Sequence, residues 1–155
     1  MGRRLLALFL ILGSTLLAAA CGPSGPSPAP TAPAALPGTS WTLGVQGGSA
    51  PAARAQPTLV FGTDGTVTGN TTCNNFSGTF TSTTSAITIS GLTLTTTVEC
   101  PPETLAVQQG YLAALAGATS WTTRNVDSVA PSGVKVFEPV KLALSGASTL
   151  VFTQN

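Results

Sequence analysis

Residues 73–80 read CNNFSGTF, the most specific pattern in the chain. Phe76 and Phe80 are predicted to point to one face of a strand, because side chains an even number of residues apart lie on the same side of the sheet. Asn74 and Asn75 precede this strand, and asparagine readily forms tight turns; ligand binding is the alternative role. The stretch therefore predicts a turn that leads into a half-buried strand.

Strand patterns continue on both sides of this stretch. Before it, residues 58–61 and 66–68 flank Asp64-Gly65, a dipeptide typical of hairpin turns. After it, residues 86–89 and 92–95 alternate with period two, so each can bury one face. Further strands are predicted at 40–43, 120–123, 141–144 and 149–152. We therefore expect a mainly β (α+β) fold, an antiparallel sheet or partly open barrel of about seven to eight strands.

One segment has a helical pattern instead. Pro101-Pro102-Glu103 is typical of a helix start, and Gly117 is a natural stop. Gln108 falls inside the predicted apolar arc and is interpreted as a buried amide with a backbone partner, with ligand contact as the alternative. The apolar arc consists of Leu105, Val107, Tyr111, Leu112 and Leu115. An amphipathic helix alone among strands is expected to pack across the sheet.

The first twenty residues have the pattern of a signal peptide. Arg3 and Arg4 precede an apolar run, residues 5–17, that is too short for a transmembrane helix. Leu17-Ala18-Ala19-Ala20 then leads directly into Cys21, which resembles a bacterial lipobox. We expect residues 1–20 to be removed and Cys21 to carry lipid; ordinary cleavage after Ala20 without lipidation is the alternative.

Residues 21–37 are rich in Pro, Ser, Ala and Gly, so they are predicted to form a disordered tether between the lipidated Cys21 and a domain at 38–155. With these features, the chain is expected to be exported and anchored to the cell envelope by lipid. Gly22 occupies the second mature position, where Asp would favour inner-membrane retention. The outer membrane is therefore expected if the host has two membranes.

The amino-acid composition limits the kinds of partner and site that the chain can have. The chain has six Lys and Arg, five Asp and Glu, and no His. Loss of Arg3 and Arg4 leaves four cations without a basic cluster, which argues against nucleic acid as a partner. Without histidine the usual general base and the commonest transition-metal ligand are missing. We expect no enzymatic activity, no cofactor and no metal.

Cys73 and Cys100 are the two thiols left once Cys21 is lipidated. In an oxidising compartment they are predicted to form a disulfide; a reactive thiol or half of a metal site is the alternative. Two cysteines alone are too few ligands for zinc. Glu99 and Glu103 are the one close pair of carboxylates, interpreted as a helix cap and a solvated charge. A hydrolase that uses them is the remote alternative.

The segments 38–41 (GTSW), 61–69 (FGTDGTVTG) and 73–80 together resemble the META domain family, which includes heat-shock protein HslJ. The resemblance extends from Gly38 to Phe152 and implies a compact antiparallel β structure with one helix. It implies roles in stress response, drug tolerance or secretion, and no agreed catalytic activity. Thr72 departs from the family pattern, which usually has Gly there, and 127–139 is longer. The matching motif residues are Gly38, Trp41, Asp64, Gly65, Gly69, Cys73, Asn74, Phe76 and Gly78.

We therefore expect a monomeric, non-catalytic binding or structural module, with a link to stress response implied by the resemblance. The gap between the helix and the sheet is expected to be packed solid. The alternative is an apolar cleft for a lipid, another hydrophobic ligand or a secretion or envelope protein. The residues that would line it are Trp41, Phe76, Gln108, Tyr111, Leu115 and Trp121.

Overall fold

The computed structural model describes residues 35–50, 56–125, 127–129, 135–137 and 139–155. Within these ranges the chain forms β-strands and one α-helix, α1, at Pro102–Ala116. The strands are β1 (Thr39–Gln46), β2 (Thr58–Phe61), β3 (Thr66–Asn70), β4 (Asn75–Ser82), β5 (Ile87–Leu94), β6 (Ala118–Arg124), β7 (Asp127–Val129), β8 (Lys135–Phe137), β9 (Lys141–Gly146) and β10 (Leu150–Gln154).

Eight strands form one antiparallel sheet in the order β5-β4-β3-β2-β1-β10-β9-β6, and β7 pairs with β8 separately. The sheet curls into a half-barrel with α1 packed across it, which confirms the predicted fold class. Its two edges approach each other at one end. Ala86 forms an isolated bridge with Ser120, and the Trp121 N–H donates to the Ser85 carbonyl at 2.8 Å. The barrel is therefore partly closed there.

The β2–β3 hairpin turns at Asp64-Gly65, as predicted. Gly65 has φ +82°, a conformation that favours glycine. Asp64 Oδ1 accepts from the Thr66 hydroxyl at 2.6 Å and from the Thr66 N–H at 3.0 Å. These two hydrogen bonds, the hydroxyl first, lower the pKa of the exposed Asp64 carboxyl. The turn is thus closed by its own side chains.

The core lies inside the curl, where alternate strand residues meet the helix. Phe61 packs edge-on against Phe80, with ring centroids 4.7 Å apart. Tyr111 of α1 contacts Phe76 and Phe152, with centroid distances of 5.9 and 6.3 Å. Because a fully buried large apolar side chain contributes about 1.5–3 kcal/mol, this aromatic cluster accounts for much of the attachment of α1 to the sheet.

The helix begins and ends where its sequence indicates. Pro101 occupies the N-cap position without a side-chain cap, and the Gly117 N–H donates to the Ala113 carbonyl at 3.0 Å. Leu105 was predicted to lie in the apolar arc, and this prediction is wrong. The side chain is 39% exposed and lies outside the buried face of α1. The buried residues of α1 are Gln108, Tyr111, Ala114 and Leu115.

The folded domain begins earlier than Gly38, the predicted boundary. Leu36, expected at the end of the tether, is completely buried in the core. Its carbonyl accepts from the Thr39 hydroxyl at 2.6 Å and from the Thr39 N–H at 3.2 Å. Leu36 therefore belongs to the domain, because one large apolar residue in a polar segment gains more from burial than from exposure. Cys21 and the predicted signal peptide lie outside the described residues.

Candidate functional site

The six residues expected to line a helix–sheet cleft are all buried in the core. Their exposed fractions are 0% for Trp41, Tyr111 and Leu115, 1% for Phe76 and 4% for Gln108 and Trp121. All but Gln108 belong to one hydrophobic core cluster, so the gap between α1 and the sheet is filled by core side chains. The alternative of an open apolar cleft at this position is therefore wrong for this structure.

The polar atoms of the buried aromatic residues also bond within the protein. Tyr111 donates its hydroxyl hydrogen to the Thr58 carbonyl at 3.1 Å, and burial raises the pKa of this phenol well above its ordinary value. Trp121 Nε1 donates to the Thr83 carbonyl at 2.9 Å. Trp41 Nε1 donates to the Thr39 hydroxyl at 2.7 Å. All three donors bond to acceptors within the protein, so they stabilise the core and are not available to a ligand.

Gln108 joins a small buried polar cluster with Thr71 and Asn74. Its Oε1 lies 2.8 Å from the Thr71 hydroxyl and accepts from Asn74 Nδ2 at 3.2 Å. The partners are thus side chains, and the predicted backbone partner is wrong. The Thr71 hydroxyl accepts from the Asn74 N–H at 3.1 Å. The cluster connects the β3–β4 loop to α1, so the buried-amide interpretation of Gln108 holds.

Asn74 lies in a tight turn, as predicted, where the Thr71 N–H donates to its carbonyl at 2.8 Å, and its side chain also has a tertiary role. Its side chain is nearly fully buried and bonds to the segment between β5 and α1. Oδ1 accepts from the Val98 N–H at 2.7 Å and from the Thr96 hydroxyl at 3.1 Å. Nδ2 donates to the Val98 carbonyl at 3.1 Å. The motif asparagine therefore holds the 95–101 segment against the sheet.

A disulfide joins Cys73 to Cys100, which confirms the predicted pairing, and the two Cα atoms are 6.1 Å apart. Asn74 Nδ2 lies 3.2 Å from Cys100 Sγ. The covalent link and the Asn74 hydrogen bonds thus tie the same two segments together. This arrangement gives the Cys-Asn pair of the motif a structural explanation.

Two motif glycines allow a close approach of neighbouring strands. A Cβ at Gly69 would overlap the Thr58 carbonyl oxygen and the Phe76 ring. A Cβ at Gly78 would lie 2.8 Å from the Ser90 carbonyl oxygen, at the irregularity in the β4–β5 pairing. Any side chain at either position would push the strands apart.

Thr72, where the family pattern usually has Gly, adopts an unusual backbone conformation. Thr72 has φ +87° and is the one non-glycine residue with positive φ among those described. Its hydroxyl oxygen is buried and has no hydrogen-bond partner. A β-branched residue in this region is strained, which explains why glycine suits the position.

The carboxylates considered for catalysis lie at the surface. Glu99 and Glu103 are both exposed, on the loop before α1 and in its first turn. Among the described residues, no three His, Cys, Asp or Glu side chains come together as a metal site. Within the same ranges, no helix is both long and apolar enough to cross a membrane.

A groove on the outer face of β6, β9 and β10 was missed by sequence reasoning. Its volume is about 550 Å³, within the usual size of a small-ligand site. Arg124 and Lys141 lie opposite each other on β6 and β9. Lys141 begins the strand predicted at 141–144, but no sequence signal indicated the register that pairs it with Arg124. The lining residues are Thr122, Arg124, Lys141, Ala143, Ser145, Thr149 and Val151.

Comparisons with solved structures identify similar folds. The chain is similar to a structure titled "NMR structure of the protein from Burkholderia xenovorans", with TM-score 0.51 and 22% identity over 86% of this chain and 98% of that one. A second NMR structure has TM-score 0.52 and 19% identity over 76% of this chain and 90% of that one. At these identities the likeness concerns the fold alone. A comparison with curated protein sequences finds no significant match.

The family itself is established by a match over most of the chain. The family model described as META domain matches residues 34–152, which include the helix, seven strands of the large sheet and β10 as far as Phe152. The match begins before Leu36, in agreement with its burial in the core. The chain therefore belongs to the META domain family.

Proposed function

We propose that this protein is an exported lipoprotein whose META domain acts at the cell envelope as a non-catalytic binding or structural module. Residues 1–20 are removed, Cys21 carries the lipid, and the Pro-rich segment that follows links it to the domain. A role in stress response, which the family implies, is part of this proposal.

The anchor is supported by the sequence around Cys21. The Leu17-Ala18-Ala19-Ala20-Cys21 segment follows a positively charged start and a short apolar run. Acyl chains on Cys21 would hold the protein at a membrane, because each buried methylene contributes about 0.8 kcal/mol.

The packed interior carries the non-catalytic part of the proposal. All six candidate cleft residues are buried, so the domain offers no internal substrate site at that position. The chain contains no His, and Glu99 and Glu103 are exposed to water. Such a domain is suited to contacts through its outer surface.

The anchor is tested by mass spectrometry of the mature N-terminus and by membrane fractionation. We expect an acylated Cys21, and Cys21→Ala should release the protein from membranes. An unmodified Cys21, or an N-terminus at another residue, would contradict the lipoprotein proposal.

The absence of catalysis is tested with glycoside and ester substrates. We expect no turnover above that of a Glu99→Gln/Glu103→Gln double variant. Turnover that disappears in this double variant would revive the hydrolase alternative.

A further inference from the structure

The groove on the outer face of β6, β9 and β10 is lined by two positively charged side chains. Arg124 and Lys141 are the two cations whose side chains the structure describes, and both line this groove. Lys141 Nζ donates to the Thr153 hydroxyl at 2.7 Å, which orients the ammonium group toward β10. The described carboxylates Asp64, Glu99 and Glu103 are absent from the lining. Among the described side chains, those that line the groove therefore carry positive charge only, although the proposed mature chain has more carboxylates than cations.

The position of these two cations can attract an anion. Arg124 and Lys141 face each other directly across adjacent strands, and like charges in this position destabilise a sheet. An anion bound between the two side chains would remove the repulsion. Arg offers a planar fork of N–H donors and Lys a compact charge, a combination that suits phosphate oxygens.

The rest of the lining indicates what the anion is attached to. Thr122, Ser145 and Thr149 contribute hydroxyl groups, which can bond to the hydroxyls of a small polyol. Ala143 and Val151 contribute a limited apolar floor. Since no aromatic side chain is among the described lining residues, they do not favour stacking with a flat ring.

We propose that this groove binds the glycerophosphate headgroup of an anionic phospholipid. The choice of a lipid source rests on the proposed function, in which the anchored domain stays close to a membrane surface. The phosphate lies between Arg124 and Lys141, and the glycerol hydroxyls meet Thr122 and Ser145. Tethering raises the effective concentration of the headgroup, so a weak intrinsic affinity is sufficient.

The test uses the mature-length chain from residue 21 with Cys21→Ala and its disulfide intact, so it does not depend on lipidation. In an NMR titration with glycerol 1-phosphate, we expect saturable shifts at Thr122, Ala143 and Ser145 in the millimolar range. Arg124→Gln and Lys141→Gln should each weaken the affinity roughly tenfold or more, the usual loss for a hydrogen bond to a charged group. In a second titration, with phosphatidylcholine vesicles at millimolar lipid, the same resonances should broaden only when the vesicles contain phosphatidylglycerol.

Thr68→Glu is the matched control, since it changes the net charge equally at an exposed position of β3. It should keep the affinity for glycerol 1-phosphate.

Arg124→Gln should not lower the melting temperature without ligand, because it relieves a repulsion. A clear loss would show that the cation pair is structural and would overturn the proposal. Unchanged affinity in both groove variants would overturn it too. Equal binding of inorganic phosphate without vesicle binding would indicate a free-phosphate site and reject the lipid headgroup. None of these outcomes bears on lipidation of Cys21, which is tested separately.

Discussion

The Asn74 side chain hydrogen-bonds both backbone groups of Val98. Oδ1 accepts from the Val98 N–H at 2.7 Å, and Nδ2 donates to the Val98 carbonyl at 3.1 Å. A carboxamide is one of the few side chains that can serve a backbone donor and acceptor together. Val98 lies outside the strands, so the Asn74 side chain supplies the two backbone hydrogen bonds that a neighbouring strand would otherwise provide.

Asn74→Asp should destabilise the domain at neutral pH. The carboxylate cannot donate to the Val98 carbonyl, and an unsatisfied buried group costs about 1–3 kcal/mol, more when charged. Burial should raise the pKa of the new carboxyl. The protonated form is then favoured in the folded state, so stability is recovered at acid pH and lost as pH rises through the folded pKa. Urea unfolding at several pH values measures this effect.

Asn75→Asp is the control for that change. Asn75 is exposed, and its Oδ1 accepts from Asn70 Nδ2 at 2.8 Å, a bond that a carboxylate can keep. It should cost little at any pH. Equal losses for the two variants would contradict the role assigned to Asn74.

Thr72→Gly should stabilise the domain. The substitution removes a strained φ of +87° and a buried hydroxyl without a partner, and strain of this kind costs about 1–3 kcal/mol. Thr72→Ala removes the hydroxyl and the γ-methyl but keeps a Cβ at positive φ, so it should recover less. Thr88→Gly, in the exposed face of β5, should instead destabilise. Chemical denaturation compares the three variants, and a less stable Thr72→Gly would refute the strain argument.

Removal of the disulfide should lower stability without changing the fold. In the chain-entropy model, a crosslink between residues separated by 27 positions stabilises by roughly 3 kcal/mol. A Cys73→Ser/Cys100→Ser double variant should therefore unfold at lower urea concentration. Non-reducing peptide mapping should recover Cys73 joined to Cys100. Free alkylation of both thiols in the native protein is the opposing result.

Tyr111 should resist ionisation while the domain is folded. It is the one tyrosine of the chain, so absorbance at alkaline pH reports on it alone. Burial raises its pKa well above the ordinary value, which is about 10. The protonated phenol's contribution is present below that value and is lost as pH rises toward the folded pKa. Phenolate absorbance should appear together with unfolding, whereas titration of a fully folded chain near pH 10 would disprove the burial.

Trp121→Ala should lower the free energy of unfolding by about 3–5 kcal/mol, the usual loss for a large buried aromatic. The side chain is 4% exposed, and its indole donates to the Thr83 carbonyl near the barrel closure. Trp121→Phe should lose less, since it keeps most of the volume. Melting curves of both variants decide this, and a loss under 1 kcal/mol for Trp121→Ala would indicate a loosely packed site.

Much of the fold was predictable because its signals are local. Alternation in 86–89 and 141–144 indicated strands with one buried face, and both segments form such strands. The candidate site was predicted less well. Gln108 was recognised as a buried amide, but its partners Thr71 and Asn74 lie far from it in sequence. Leu36 was misplaced because a single apolar residue in a Pro-rich segment gives no periodic signal.

The sequence by itself determined the antiparallel β architecture, the turn at Asp64-Gly65 and the ends of α1, because periodicity, turn residues and helix caps act within a few residues. Only the tertiary structure decided the Asn74–Val98 pairing, the solid contact between α1 and the sheet, and the meeting of Arg124 with Lys141. These relationships depend on strand register and on packing between distant segments. Such geometry is set when the whole sheet closes, and no short stretch of residues encodes it.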